Sequence, residues 1–193
     1  MEDIFKIFIA SVLINNFVFS LYLGLCIFFG VTKRMETAVG MSITFTAVMV
    51  ICAAILWVIF HGIMIPFKLG FLQIVIFIGT VAGFVQAADT IMKKVSPSLY
   101  YKLGIYLPLI TANCIILAVP LINVREGYGF IESLTLGLGS GIGFSLALVI
   151  MASIREKLEL ADVPKSFQGL PISFIVTGLI ALAFLGFSGL IIL

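Results

Sequence analysis

Long apolar runs alternate with short polar segments along the whole chain. Each run approaches or exceeds the roughly 20 residues that an α-helix needs to cross the hydrocarbon core of a bilayer. Charged or turn-forming segments, such as 33–36 and 123–129, separate the runs. The pattern therefore predicts six membrane-spanning helices, near residues 4–30, 38–60, 70–92, 103–122, 133–154 and 171–193.

Composition excludes a soluble globular protein. Of the 193 residues, 62% are hydrophobic and 10% are charged, whereas soluble domains carry roughly 25% charged residues. A core of this size cannot bury so much apolar surface, so we expect an all-α integral membrane protein with one polytopic domain over residues 1–193. The net charge of +2 is small and the basic residues lie in short loops, which argues against a nucleic-acid partner.

The distribution of Lys and Arg predicts the orientation, because cytoplasmic loops are enriched in both. Eight of the 11 lie in the first, third and fifth predicted loops, so we expect the odd loops to be cytoplasmic and both termini to lie outside. Six spans also divide into two groups of three, and an odd number of spans inverts the second group. We therefore expect two inverted three-helix repeats, at about residues 1–95 and 96–193.

Predicted spans 1 and 4 share an unusual set of polar and helix-breaking residues: Asn15, Asn16, Gly24 and Cys26 in span 1, and Pro108, Asn113 and Cys114 in span 4. A buried amide without a partner costs several kcal/mol. The asparagines either join neighbouring helices or stabilise unwound backbone near Gly24 and Pro108. Unbroken helices would place the two cysteines at different depths. We therefore expect spans 1 and 4 to be discontinuous.

The three cysteines do not share one interpretation. A buried cysteine usually acts as a small hydrophobic residue, and this is our interpretation of Cys52. The shared surroundings of Cys26 and Cys114 favour a metal site instead. Zinc and iron–sulfur sites commonly have four protein ligands, and the only histidine, His61, is predicted at the outer end of span 2. Such a site would have to be shared with another chain.

Two further features have less specific interpretations. Asp89 lies inside an apolar run, where an acid suggests an ion or proton relay, but Lys93 is four residues further on and an ion pair between them is favoured. The glycine-rich segment 137–143 resembles a phosphate loop only superficially, because no strand precedes it and no Gly-Lys-Ser/Thr follows it. Close helix packing explains these glycines better.

Several motifs together resemble the RnfA/NqrE family, and the resemblance covers essentially the whole chain. They are NNFV (15–18), LGLC (23–26), ETAVGM (36–41), SPSLYYKLGIYLPLITANC (96–114), GFSLALV (143–149), IRE (154–156), ADVP (161–164) and GFSGL (186–190). Members of this family are six-helix subunits of the Rnf ion-translocating oxidoreductase and of the sodium-pumping NADH:quinone oxidoreductase (Nqr).

The resemblance implies a function that the residues alone do not. Rnf complexes pass electrons between ferredoxin and NAD through flavins and iron–sulfur clusters, coupled to Na⁺ or H⁺ movement across the bacterial inner membrane. Their RnfA component pairs with a homologous RnfE component of opposite topology, and each contributes two cysteines to one [2Fe–2S] cluster. By motif, these ligands are Cys26 and Cys114 here. The B, C, D and G components of Rnf are further implied partners, and the isolated chain is not expected to be catalytic.

One position departs from the family, and three other functions stay open. Ile27 stands where the family commonly has proline, which puts in question how the half-helix breaks after Cys26. An Nqr-type component is the first alternative. The second is a non-redox secondary transporter whose asparagines form a polar site at the bilayer midplane. The third is a non-redox scaffold that holds neighbouring proteins of a complex together.

Overall fold

The computed structural model describes residues 2–67, 70–95 and 113–186. The secondary structure within these ranges is helical. We label seven helices in chain order: α1 (Glu2–Ile9), α2 (Leu25–Val31), α3 (Met35–Ile59), α4 (Gln73–Val95), α5 (Cys114–Glu126), α6 (Phe130–Glu159) and α7 (Leu170–Leu185).

Two predicted loops are partly helical. The polarity of segment 61–68 predicts a loop between spans 2 and 3, but α3 continues through a π-helical turn, Phe60–Met64, and a short helix, Ile65–Phe67. Helix α6 likewise extends to Glu159 and includes Arg155, whose charge predicts a loop. Charged residues lower the apolarity of these segments without ending the helices, because helical hydrogen bonding still satisfies the backbone.

The helices confirm the all-α membrane architecture. Three of those described are long and apolar enough to cross a bilayer: Met35–Met64, Gly70–Ala87 and Phe130–Glu159. Two shorter apolar helices span Ile4–Ile14 and Leu170–Leu185. The six-span inverted repeat stays a prediction, since residues 96–112 and 187–193 lie outside the described ranges.

Helices α3 and α6 form the centre of the structure, and the glycines of segment 137–143 allow their close approach. A Cβ added at Gly137 would lie 3.0 Å from Ala53 Cβ, and one at Gly141 would lie 3.0 Å from Thr46 Cα. The packing interpretation of these glycines therefore agrees with the structure, as small residues allow helix backbones to approach closely.

The other face of the same glycine segment contacts the first span. A Cβ at Gly143 would lie 3.1 Å from the carbonyl oxygens of both Ser11 and Val12, and one at Gly139 would collide with Ser11 Oγ. Ser11 and Val12 belong to a π-helical turn, Ala10–Ile14, that continues α1. The alternating glycines thus give α6 two close-packing faces, one for α3 and one for the end of α1.

The first span is discontinuous, as expected. Its helical part ends at Ile14, and α2 begins only at Leu25. The connecting residues 15–24 turn back into the protein, where Phe17, Val18 and Phe19 are buried in the core. An irregular segment at this position survives because its backbone and side chains are enclosed by protein.

Candidate functional site

Asn16 holds the irregular segment of span 1 in place. Its Oδ1 accepts a hydrogen bond from the backbone N–H of Val18 at 3.1 Å. Its Nδ2 donates to the carbonyl oxygen of Gly143 on α6 at 2.8 Å and to that of Val12 at 3.3 Å. The two interpretations of the asparagines therefore both apply to Asn16, which stabilises unwound backbone and also joins two helices.

Asn113 plays the matching local part in front of α5. Its Oδ1 accepts from the backbone N–H of Ile115 at 2.9 Å and caps the helix that starts at Cys114. Asparagine is among the preferred residues at this position. The side chain is fully buried, yet its Nδ2 has no hydrogen-bond partner in the described part of the chain.

Gly24 joins the starts of the two cysteine-bearing helices. Its φ of +77° lies in the left-handed region that favours glycine. A Cβ at this position would lie 2.7 Å from Ile115 Cδ1 and 3.2 Å from Asn113 Oδ1. A larger residue would therefore push apart the start of α2, which carries Cys26, and the start of α5, which carries Cys114.

The cysteines differ in exposure. Cys26 and Cys114 are exposed at the surface of the chain, whereas Cys52 is buried within α3. Cys26 is the second residue of α2 and Cys114 is the first residue of α5. Two thiols at adjoining helix starts, facing out of the chain, can ligate a metal centre that a second chain completes.

Arg155 fixes the other end of α2. Its Nη1 donates to the carbonyl oxygen of Phe29 at 2.9 Å and to Thr32 Oγ1 at 3.0 Å. A cation near the last carbonyl groups of a helix is favourable because of the helix dipole. Sequence reasoning misses this role, since a charge after an apolar run predicts a loop; the place of Arg155 in the IRE motif is the available signal.

Ile27 shows that the break precedes Cys26 and does not follow it. Helix α2 runs without interruption from Leu25 to Val31, and the Ile27 side chain is completely buried. Ile27 is the third residue of the helix, where a backbone N–H has no acceptor within the helix. Proline is tolerated in a first turn, so isoleucine and proline are both compatible with this helix start.

The remaining candidates lie apart from this arrangement or outside the described residues. Asn15 is exposed, and its backbone N–H donates to the carbonyl oxygen of Ala10 at 2.7 Å. Pro108 falls in the undescribed segment 96–112, so the break expected in span 4 remains a prediction. Asp89 and Lys93 belong to α4, but their side chains are outside the described part, and the ion pair between them also stays a prediction.

The chain has relatives of known name over nearly its full length, each of them the A component of a complex. That of the proton-translocating ferredoxin:NAD⁺ oxidoreductase complex of Clostridium ljungdahlii is 49% identical over 191 residues, covering 99% of both chains. That of the Na⁺-translocating ferredoxin:NAD⁺ oxidoreductase complex of Acetobacterium woodii is 50% identical over 184 residues, covering 95% of this chain and 96% of the relative. That of the ion-translocating oxidoreductase complex of Syntrophotalea carbinolica is 46% identical over 191 residues, covering 99% of each.

The family comparison agrees with these relatives. The Rnf-Nqr subunit family, described as a membrane protein family, matches residues 4–191. Its match covers the broken first span, both cysteine-bearing helix starts and the central α3–α6 pair. The chain therefore belongs to the Rnf-Nqr family of membrane proteins.

Proposed function

We propose that this chain is the A-type membrane component of an ion-translocating ferredoxin:NAD oxidoreductase complex. In this proposal, Cys26 and Cys114 supply half of the ligands of a [2Fe–2S] cluster, and a homologous chain of opposite topology supplies the other half. The cluster would provide a one-electron carrier within the bilayer. Flavins and other iron–sulfur clusters would lie on neighbouring members of the complex.

One observation carries the proposal: Gly24 contacts Asn113 and Ile115, the two residues that flank Cys114. Cys26 follows Gly24 by two positions, so this contact brings the helix starts that carry the two cysteines together. Apolar periodicity does not require such a contact between segments about 90 residues apart. A shared ligand site gives it a function.

The donor set fits an iron–sulfur cluster. Thiolates are the usual ligands of [2Fe–2S] clusters, and both thiols are exposed where a second chain can approach. The free amide N–H groups at the start of α5, which is 13 residues long, favour negative charge beside Cys114. With three cysteines and one histidine in the sequence, a four-thiolate site needs ligands from a partner.

Coupling to ion movement would act through the segments that hold the site. Asn16 links the irregular segment to α6, and Arg155 links the end of α2 to the same helix. A rearrangement of α2 on reduction would therefore alter access from each side of the membrane. Equal solvent access to Cys26 and Cys114 in oxidised and reduced complexes would count against this mechanism. The coupling ion is Na⁺ or H⁺, since relatives named for each ion are almost equally similar.

The test is to purify the whole complex with Cys26→Ala, Cys114→Ala or Cys52→Ala. We expect either of the first two substitutions to abolish one [2Fe–2S] EPR signal and to remove about two iron atoms per complex, because each leaves the cluster without a ligand. Cys52→Ala is the matched control and should retain both. Unchanged signals and iron content in Cys26→Ala and Cys114→Ala would overturn the assignment.

A further inference from the structure

One buried amide nitrogen lacks an acceptor within the described part of the chain. The Asn113 side chain is 0% exposed, and its Oδ1 is engaged in capping α5. Its Nδ2 carries two N–H donors and has no partner there. Because an unpaired buried donor is costly, we expect an acceptor from outside the chain to receive at least one of these hydrogens.

The position of this amide indicates which acceptor that is. Asn113 directly precedes Cys114, and its Oδ1 lies 3.2 Å from where a Cβ on Gly24 would be. Nδ2 is bonded to the same carbon as Oδ1, so the free donor lies between the segments that lead into Cys26 and Cys114. A ligand held by both thiols would be its neighbour.

We propose that Asn113 Nδ2 donates a hydrogen bond to a sulfur atom of the [2Fe–2S] site, either a cluster sulfide or a ligating thiolate, and thereby raises the reduction potential of the cluster. This inference rests on the proposed function. Reduction adds one electron and one negative charge to the cluster, so a donated hydrogen bond stabilises the reduced state more than the oxidised state. Hydrogen bonds to the sulfurs are among the factors that set such potentials.

Asn16 provides an internal control. Like Asn113, it accepts through Oδ1 from the backbone N–H two residues further on. Its Nδ2, however, is engaged by the carbonyl oxygens of Gly143 and Val12. A change at Asn16 therefore disturbs a similar turn without removing a free donor.

The first experiment needs no substitution to detect the hydrogen bond. Pulsed EPR of the reduced wild-type complex, grown with ¹⁵N-asparagine, should show weak ¹⁵N hyperfine coupling to the cluster. Asn113→Ser keeps a good helix-capping residue but lacks the amide, so the coupling should disappear. It should persist in Asn16→Ser.

The second experiment is an EPR-monitored redox titration of the same complexes. Asn113→Ser should shift the reduction equilibrium about tenfold towards the oxidised state, which is about 59 mV lower for a one-electron couple. Asn16→Ser should shift it less than about twofold.

A cluster that needs Cys26 and Cys114 but shows no asparagine coupling in the wild type would overturn this inference and leave the proposed function intact. A buried water would then be the partner of Asn113. A cluster signal independent of both cysteines would overturn the proposed function itself.

Discussion

Asn16 and Asn113 make the same local hydrogen bond in two different settings. Each precedes a change in backbone direction and accepts from the N–H two residues further on. At Asn16 the amide nitrogen binds Gly143 on α6, so the side chain connects two parts of the fold. At Asn113 the amide nitrogen lacks a partner in the described chain. One asparagine is thus a structural clamp, whereas the other has a donor left for a ligand.

The contrast extends to the short helix between them. The start of α2 rests against α5 through Gly24 and Ile115, and its end is held by Arg155 of α6. Residues of the second half of the chain therefore fix both ends of the seven-residue helix that carries Cys26. A short helix of this kind depends on such contacts, because isolated helices of this length are unstable in water.

The largest effect should come from separating the two cysteine-bearing helix starts. Gly24→Ala would place a side chain in a left-handed conformation and within 2.7 Å of Ile115 Cδ1. We expect a loss of about 2–4 kcal/mol of stability from strain and overpacking, with reduced cluster content. Thermal denaturation and EPR spin quantification of the purified complex measure both quantities.

Gly30→Ala is the matched control for this change. Gly30 lies in the same helix, and a Cβ there would meet no described atom within 4 Å. We expect both the denaturation midpoint and the cluster content of this variant to stay close to those of the wild type. Equal effects of the two substitutions would show that the contact at Gly24 has no special role.

A smaller loss is expected when the clamp is removed. Asn16→Ala leaves the Val18 N–H without its side-chain acceptor and abolishes the link to Gly143. The expected destabilisation is about 1–3 kcal/mol, visible as a lower denaturation midpoint. Asn15→Ala, at the exposed neighbouring position, should change stability by no more than about 0.5 kcal/mol. A larger effect at Asn15 than at Asn16 would contradict the distinction between them.

The smallest effect should follow from loosening the far end of α2. Arg155→Gln removes the cation that donates to Phe29 O and Thr32 Oγ1. We expect a loss of about 1 kcal/mol in thermal denaturation. Lys157→Gln removes a positive charge from an exposed position on the same helix and should leave stability nearly unchanged. Identical behaviour of the two variants would indicate that Arg155 does not hold α2.

The sequence is sufficient for the features that depend on local pattern. Apolar runs predict the helices, and the two asparagines with Gly24 predict the break in the first span. Contacts between distant segments cannot be predicted in this way. The bond from Asn16 to Gly143 spans 127 residues, and nothing in the pair Asn15–Asn16 shows which side chain turns inward.

Helix ends are similarly hard to place. Charge at Arg155 suggests a loop, but the guanidinium is partnered by the end of α2, so α6 continues past it. His61 also lies within a helical turn, where its ring stacks on Trp57 with 4.0 Å between centroids. In both cases a tertiary contact outweighs the local polarity that predicts a loop.

The shared site can be tested most directly by bridging its two thiols. The whole complex, carrying Cys52→Ala, is depleted of iron with a chelator and treated with a short reagent that joins two nearby thiols. Peptide mapping should then recover Cys26 and Cys114 of one chain linked to each other, and the intact cluster should protect both from reaction. Two accessible cysteines that are only modified singly would contradict a common site.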